Sequence, residues 1–131
     1  MAFQAHAAAA KAAVDALSAT TAIEYGPRGI TSNVITPGPI AGTEGMKRLG
    51  STDEEARKKS MKKAPLQRWG MVKEIADGTV FLFSDAGNYV NGEVLVIDGG
   101  DWRSPGVPGT TAGMDYPDYL DESLHKRESK L

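Results

Sequence analysis

An α/β fold built on parallel strands is what this sequence predicts, and three observations carry the prediction. Two short apolar runs rich in β-branched residues lie at residues 30–36 and at Val94–Ile97. Helix-patterned segments precede the first run and fill the long interval between the two, which is enough chain for the crossover that parallel pairing requires. The second run, Val94-Leu95-Val96-Ile97, is continuously apolar rather than alternating, the pattern of a strand covered on both faces.

Taken in order, residues 2–25 form the first element. Alanine dominates it, with Val14, Leu17 and Ile23 at helix-compatible spacing, and Gly26-Pro27 stops it through a left-handed cap and a ring that cannot continue the helix. No capping Ser, Thr, Asp or Asn precedes Ala2, so the helix starts without the usual signal. Ile30, Val34 and Ile35 then read as a buried strand over residues 30–36, ended by Pro37-Gly38-Pro39. Residues 41–50 read as a loop with a short helical turn. Ser51 with Glu54, or Thr52 with Glu55, makes a capping box for a helix running to about Lys63, broken at Pro65. Ile75, Ala76, Thr79, Val80, Leu82 and Phe83 give an amphipathic helix over residues 72–84. Gly87-Asn88 suits positive φ in the turn that follows. The second strand covers residues 93–98, and Asp98-Gly99-Gly100 ends it. Beyond Trp102 the chain is rich in Pro, Gly and acids and reads as a loosely ordered tail over residues 104–131.

Composition narrows the function classes. The chain has 131 residues and a formal net charge of −2, so no overall field recruits nucleic acid or an anionic surface. It has no cysteine, which removes disulfides, thiolate metal sites and a catalytic thiol, and no metal site is expected. No apolar run approaches the roughly 20 residues needed to span a bilayer. Two strands are too few for a stable open sheet, so residues 1–103 read as roughly half of a domain. A free Ser129-Lys130-Leu131 is a receptor-read address for the peroxisome, which names an import receptor as partner.

Four segments, in this order and spacing, resemble the C-terminal half of a short-chain dehydrogenase/reductase. They are residues 10–17 (Ala-Lys-Ala-Ala-Val-Asp-Ala-Leu), residues 33–40 (Asn-Val-Ile-Thr-Pro-Gly-Pro-Ile), residues 65–70 (Pro-Leu-Gln-Arg-Trp-Gly) and residues 92–100 (Gly-Glu-Val-Leu-Val-Ile-Asp-Gly-Gly). Pro39-Ile40-Ala41-Gly42-Thr43-Glu44-Gly45, with Arg48-Leu49-Gly50, is most similar to the peroxisomal 2,4-dienoyl-CoA reductases. The resemblance implies part of a Rossmann-like parallel sheet, a homo-oligomer in the full-length form, and NADPH-dependent reduction of 2,4-dienoyl-CoA to 3-enoyl-CoA. That reaction serves the peroxisomal β-oxidation of unsaturated fatty acids. Two alternatives remain open: trans-2-enoyl-CoA reduction, and a non-catalytic interaction module.

Carried over residue by residue, Lys11 is the lysine that holds the nicotinamide ribose hydroxyls, a role suited to a long-reaching cation with three donors. Pro37, Gly38 and Ile40 form the bend at the nicotinamide carboxamide, and Thr43 bonds the carboxamide or pyrophosphate. Against this stands an ordinary strand-ending turn with an ordinary threonine. Ala7 stands four residues before Lys11, where the common pattern of the superfamily has tyrosine; the peroxisomal dienoyl-CoA reductases also lack it, and the absence disfavours ketone chemistry. His6 is expected to be a partly buried helix histidine rather than a proton shuttle. Arg57, Lys58 and Lys59 lie in a run of five cations in seven residues. They read either as a landing site for the acyl-CoA phosphates or as a solvated helix face. The Gly-rich dinucleotide loop and the residues that select NADP(H) belong to the N-terminal nucleotide-binding half, which is missing from this sequence.

Overall fold

The computed structural model describes residues 4–62 and 64–103. The described chain falls into two units, one of residues 4–49 and 69–98, the other of residues 50–68 and 99–103. The tail with Ser129, Lys130 and Leu131 lies outside the described residues, as does Lys63.

The first unit opens with helix α1, Ala5–Tyr25. Its N-terminus has no side-chain cap, as the sequence implies. Its end differs from the expectation. Gly26 stays right-handed, and a 3₁₀ turn, Gly26–Arg28, follows with Pro27 near its start. The left-handed stop is Gly29, at φ 76°. A proline suits the first positions of a new turn, so the helix tightens before it ends.

Strand β1 is Val34–Pro37 and strand β2 is Val94–Ile97. They pair in parallel, Val34 opposite Val94 and Pro37 opposite Ile97. The first strand is shorter than expected because residues 30–33 leave the ladder. Ser32 and Asn33 instead bond to and through the asparagine side chains described below. Neither strand is buried on both faces: Val94 is 40% exposed, and Leu95, Val96 and Ile97 are half-buried. A sheet of two strands gives each only one neighbour, so the apolar run is not enclosed among the described residues.

Helix α2, Glu44–Leu49, follows β1, and helix α4, Val72–Phe83, precedes β2. The Glu74 carboxylate accepts from the Met71 amide at 2.7 Å and secures the start of α4. Gly78 lets α4 pack on the sheet, because a side chain there would collide with Ile97 Cδ1. Gly87 sits in a 3₁₀ turn, Asp85–Gly87, and Asn88 keeps a right-handed backbone. The glycine is needed for close approach rather than positive φ: an added Cβ would meet Leu82 Cα at 2.9 Å.

The second unit carries helix α3, Glu54–Met61. Its cap is Asp53, whose Oδ2 accepts from Ala56 N at 2.9 Å, and not Ser51 or Thr52. Ser51 turns its hydroxyl to the Asp53 amide, which fixes the capping residue rather than the helix. Gly99 and Gly100 adopt φ of 68° and 87°, and Gly100 lies against the Pro65 ring.

Ala22, Ile40 and Ala64 are the buried apolar residues among those described. Leu17 is 68% and Phe83 89% exposed. Helix faces among the described residues thus stay without a covering layer.

Candidate functional site

The candidate site is the edge where the strands end. Beyond β1, Gly38 N donates to Ile97 O at 2.9 Å and extends the ladder by one bond. A Cβ on Gly38 would lie 2.8 Å from both Asp98 Cα and Asp98 Cβ, so only glycine passes at this distance. The next residues are clamped from the other side. Gly70 N donates to Pro39 O at 3.0 Å, Ala41 N donates to Gly70 O at 2.9 Å, and Ile40 pairs with Gly70 in a parallel bridge. Two prolines fix φ on either side of Gly38. The bend is therefore rigid, and Ile40 is buried within it.

Thr43 ends the bend. Its hydroxyl donates to Ile40 O at 2.9 Å and accepts from Met46 N at 3.3 Å. Thr43 thus has a structural duty, holding the Ile40 carbonyl and capping α2.

Lys11 is exposed on α1. Its place relative to the bend follows from the chain reversal at Gly29. Ser18 Oγ lies 2.9 Å from Ser32 Oγ, and the two serines stand seven residues before and seven after Tyr25. From that contact the helix runs back to Lys11 and the strand runs forward to Pro37 in the same direction. Lys11 lies roughly 10 Å along the helix from Ser18, and Pro37 about 16 Å along the strand from Ser32. The ammonium and the bend thus belong to the same end of the unit. Ala7, one turn from Lys11, is half-buried, and His6 is exposed rather than partly buried.

The opposite edge is built differently, and here sequence reasoning missed the working residues. Asn91 Oδ1 accepts from Ser32 N at 2.9 Å, and Asn91 Nδ2 donates to Ala22 O at 2.9 Å. Asn33 Nδ2 donates to Val90 O at 3.0 Å, and Asn33 Oδ1 accepts from Glu93 N at 3.0 Å. Two amide side chains join α1, the lead into β1 and the lead into β2. The available signal was an asparagine just before each strand, a residue that readily mimics a backbone partner.

Arg57, Lys58 and Lys59 stand on α3 in the second unit, and all three are exposed. Arg57 Nη1 lies 3.8 Å from Glu54 Oε2, so part of the cluster's charge is balanced on its own helix.

The chemistry of the first unit's residues fits the reducing end of a nicotinamide nucleotide. Lys11 offers a solvent-facing cation with three donors. The bend presents an ordered backbone just past the strand ends, where ligands of open α/β sheets bind.

Comparison with known proteins gives the family. Residues 1–101 match the family model described as enoyl-(acyl carrier protein) reductase. The chain is 48% identical over 123 residues to a peroxisomal 2,4-dienoyl-CoA reductase of Saccharomyces cerevisiae, covering 93% of this chain and 40% of that protein. It is 48% identical over 101 residues to the peroxisomal 2,4-dienoyl-CoA reductase of Danio rerio, covering 77% and 33%. A short chain dehydrogenase from Bacillus anthracis superposes with a TM-score of 0.64 at 39% identity, over 86% of this chain and 39% of that one. A 2-deoxy-d-gluconate 3-dehydrogenase from Agrobacterium tumefaciens with bound NADP superposes at 0.66 and 38% identity, over 72% and 38%. The chain spans about 40% or less of the length of these relatives. With its parallel pair, its rigid bend after β1 and these matches, the chain belongs to the short-chain dehydrogenase/reductase superfamily and is similar within it to the peroxisomal 2,4-dienoyl-CoA reductases.

Proposed function

We propose that this chain is the C-terminal part of a peroxisomal, NADPH-dependent 2,4-dienoyl-CoA reductase that forms 3-enoyl-CoA. The observation that carries the reading is 48% identity over 123 residues to a protein of that name. The activity belongs to the complete domain, because the Gly-rich dinucleotide loop is not in this sequence. When bound, the reduced nicotinamide supplies hydride to the far end of the conjugated thioester.

The chain's own residues hold and orient. Lys11 hydrogen-bonds the nicotinamide ribose hydroxyls and so holds the ring in place. Pro37, Gly38 and Ile40 set the backbone that faces the carboxamide. Thr43 supports that backbone through its bond to Ile40 O and contacts the carboxamide or pyrophosphate. With Ala7 in the tyrosine position, no phenol is available to protonate a carbonyl oxygen there, which suits a reaction whose proton ends on carbon. Arg57, Lys58 and Lys59 attract the phosphates of the acyl-CoA substrate. Ser129, Lys130 and Leu131 direct the protein to the peroxisomal import receptor.

The test joins residues 1–131 to the N-terminal half of an intact relative and follows NADPH oxidation. Turnover on 2,4-dienoyl-CoA is expected to exceed turnover on trans-2-enoyl-CoA. Lys11→Ala is expected to lower kcat/KM about 10- to 100-fold, the worth of a charge-assisted hydrogen bond, with folding stability unchanged. Preference for the monoene, or full activity without Lys11, overturns the reading.

A further inference from the structure

Asn91 and Gly92 stand together at the start of β2, and this pair carries a latent reaction of its own. In an Asn–Gly pair no side chain on the second residue crowds the approach of its amide nitrogen to the asparagine Cγ. The Gly92 nitrogen can bond to Asn91 Cγ and expel the side-chain nitrogen as ammonia, which leaves a five-membered succinimide. Water then opens the ring to aspartate or its isoaspartyl isomer. The reaction needs only water and a base to take the amide proton.

In the fold both reacting groups are held by one residue. Ser32 N donates to Asn91 Oδ1 at 2.9 Å, and Ser32 O accepts from Gly92 N at 2.9 Å. The other side-chain atom, Asn91 Nδ2, donates to Ala22 O at 2.9 Å. Ring closure requires Gly92 N to lose its proton and Cγ to swing onto it, so all three bonds must break first. Asn91 is exposed, so solvent reaches it freely. The hydrogen bonds, not burial, restrain the chemistry.

We propose that Asn91–Gly92 is a fold-gated deamidation site, silent while the starting edge of the sheet is closed and reactive whenever that edge opens. The product locks the opening in. A carboxylate at position 91 has no N–H for Ala22 O and sets a negative charge against that carbonyl, so the clip between α1 and β2 is not rebuilt. Asn33 and Asn88 are internal controls, since Val34 and Tyr89 crowd the equivalent attack.

The full 131-residue chain is incubated at mildly alkaline pH in native buffer and in urea, then digested, and the peptide carrying each asparagine is weighed. Conversion of Asn91 to the acid is expected in urea and about tenfold or more slower in native buffer, the margin set by local opening. Asn33 and Asn88 are expected to lag behind Asn91 in urea. Mass separates this from isomerisation at Asp98–Gly99, which leaves mass unchanged. Equal rates at Asn91 in the two conditions, or equal rates at all three asparagines in urea, overturn the proposal. The product itself is tested separately: the Asn91→Asp chain is expected to unfold at lower denaturant than its parent. An unchanged midpoint overturns the lock.

Discussion

Where β1 and β2 begin, asparagine side chains add to the backbone bonds; where they end, backbone bonds join the strands without them. At the starting edge Asn33 and Asn91 each reach across to another segment and stand in for strand partners. At the finishing edge Gly38 passes Asp98, and Gly70 bridges Ile40, with glycine at each closest approach. The contrast teaches where side-chain polar groups are already committed. Side-chain clips fill the space around the strand starts with committed donors and acceptors. Backbone contacts made through glycine join the strand ends without committing side-chain donors and acceptors there.

The most damaging test of this contrast is Gly38→Val. A Cβ there falls within 2.8 Å of Asp98 backbone and side chain, and backbone just past a strand end cannot yield as the end of a long side chain can. We expect a loss of about 3 kcal/mol in denaturant unfolding. A loss below about 0.5 kcal/mol, the range of an ordinary surface change, would mean the finishing edge is not held by close approach. Asn33→Ala attacks the other edge. It leaves Val90 O and Glu93 N without their side-chain partner at a half-buried position, and we expect a loss of about 2 kcal/mol. Asn33→Asp keeps the acceptor for Glu93 N and loses only the donor, so it should fall between the alanine variant and the parent.

Much of this arrangement was legible in the sequence, for a physical reason that differs from element to element. Helix α1 and strand β2 announce themselves because a run of one residue class dictates them locally. The alanines need no partner to favour helix, and four apolar residues in a row leave few alternatives. The boundaries were less legible. Strand β1 loses residues 30–33 because Ser32 is bonded to Asn91, 59 residues away, and no local pattern reveals that. The cap of α3 moves to Asp53 because three candidate oxygens lie within three residues, and the geometry that selects one is settled only on folding. Gly87 was read as a turn glycine from its neighbours, whereas it answers to Leu82 and Phe81 across a tight corner. For the site, the bend and Lys11 were singled out through the family pattern. Gly70 and Asp98 stood within the quoted motifs, but their work as the two jaws of the clamp appears only when strand ends meet in space.

A smaller effect is expected at Thr43, where the two edges meet in kind, since a side chain here serves the backbone edge. Thr43→Val keeps the shape and removes the hydroxyl that caps α2 and holds Ile40 O. We expect about 1 kcal/mol of lost stability. Hydrogen exchange should quicken at the Met46 amide, while the Ala41 amide, bonded to Gly70 O, stays protected. Loss of protection at both would show that the clamp depends on the threonine.

The mildest change separates the clips from a mere contact between neighbours. The Ser18 and Ser32 hydroxyls bond only to each other among the described residues, at a half-buried position. Ser18→Ala should therefore destabilise by about 0.5 kcal/mol, near the floor for a neutral hydrogen bond. Ser32→Ala should do the same, and the double variant should lose no more than either alone, because removing the second hydroxyl removes an unpartnered group rather than a bond. The Ser32 backbone is untouched in all three, so its bonds to Asn91 and Gly92 persist. If instead the losses add, each hydroxyl has a separate duty, and the reversal that brings Lys11 to the same end as the bend rests on more than one serine pair.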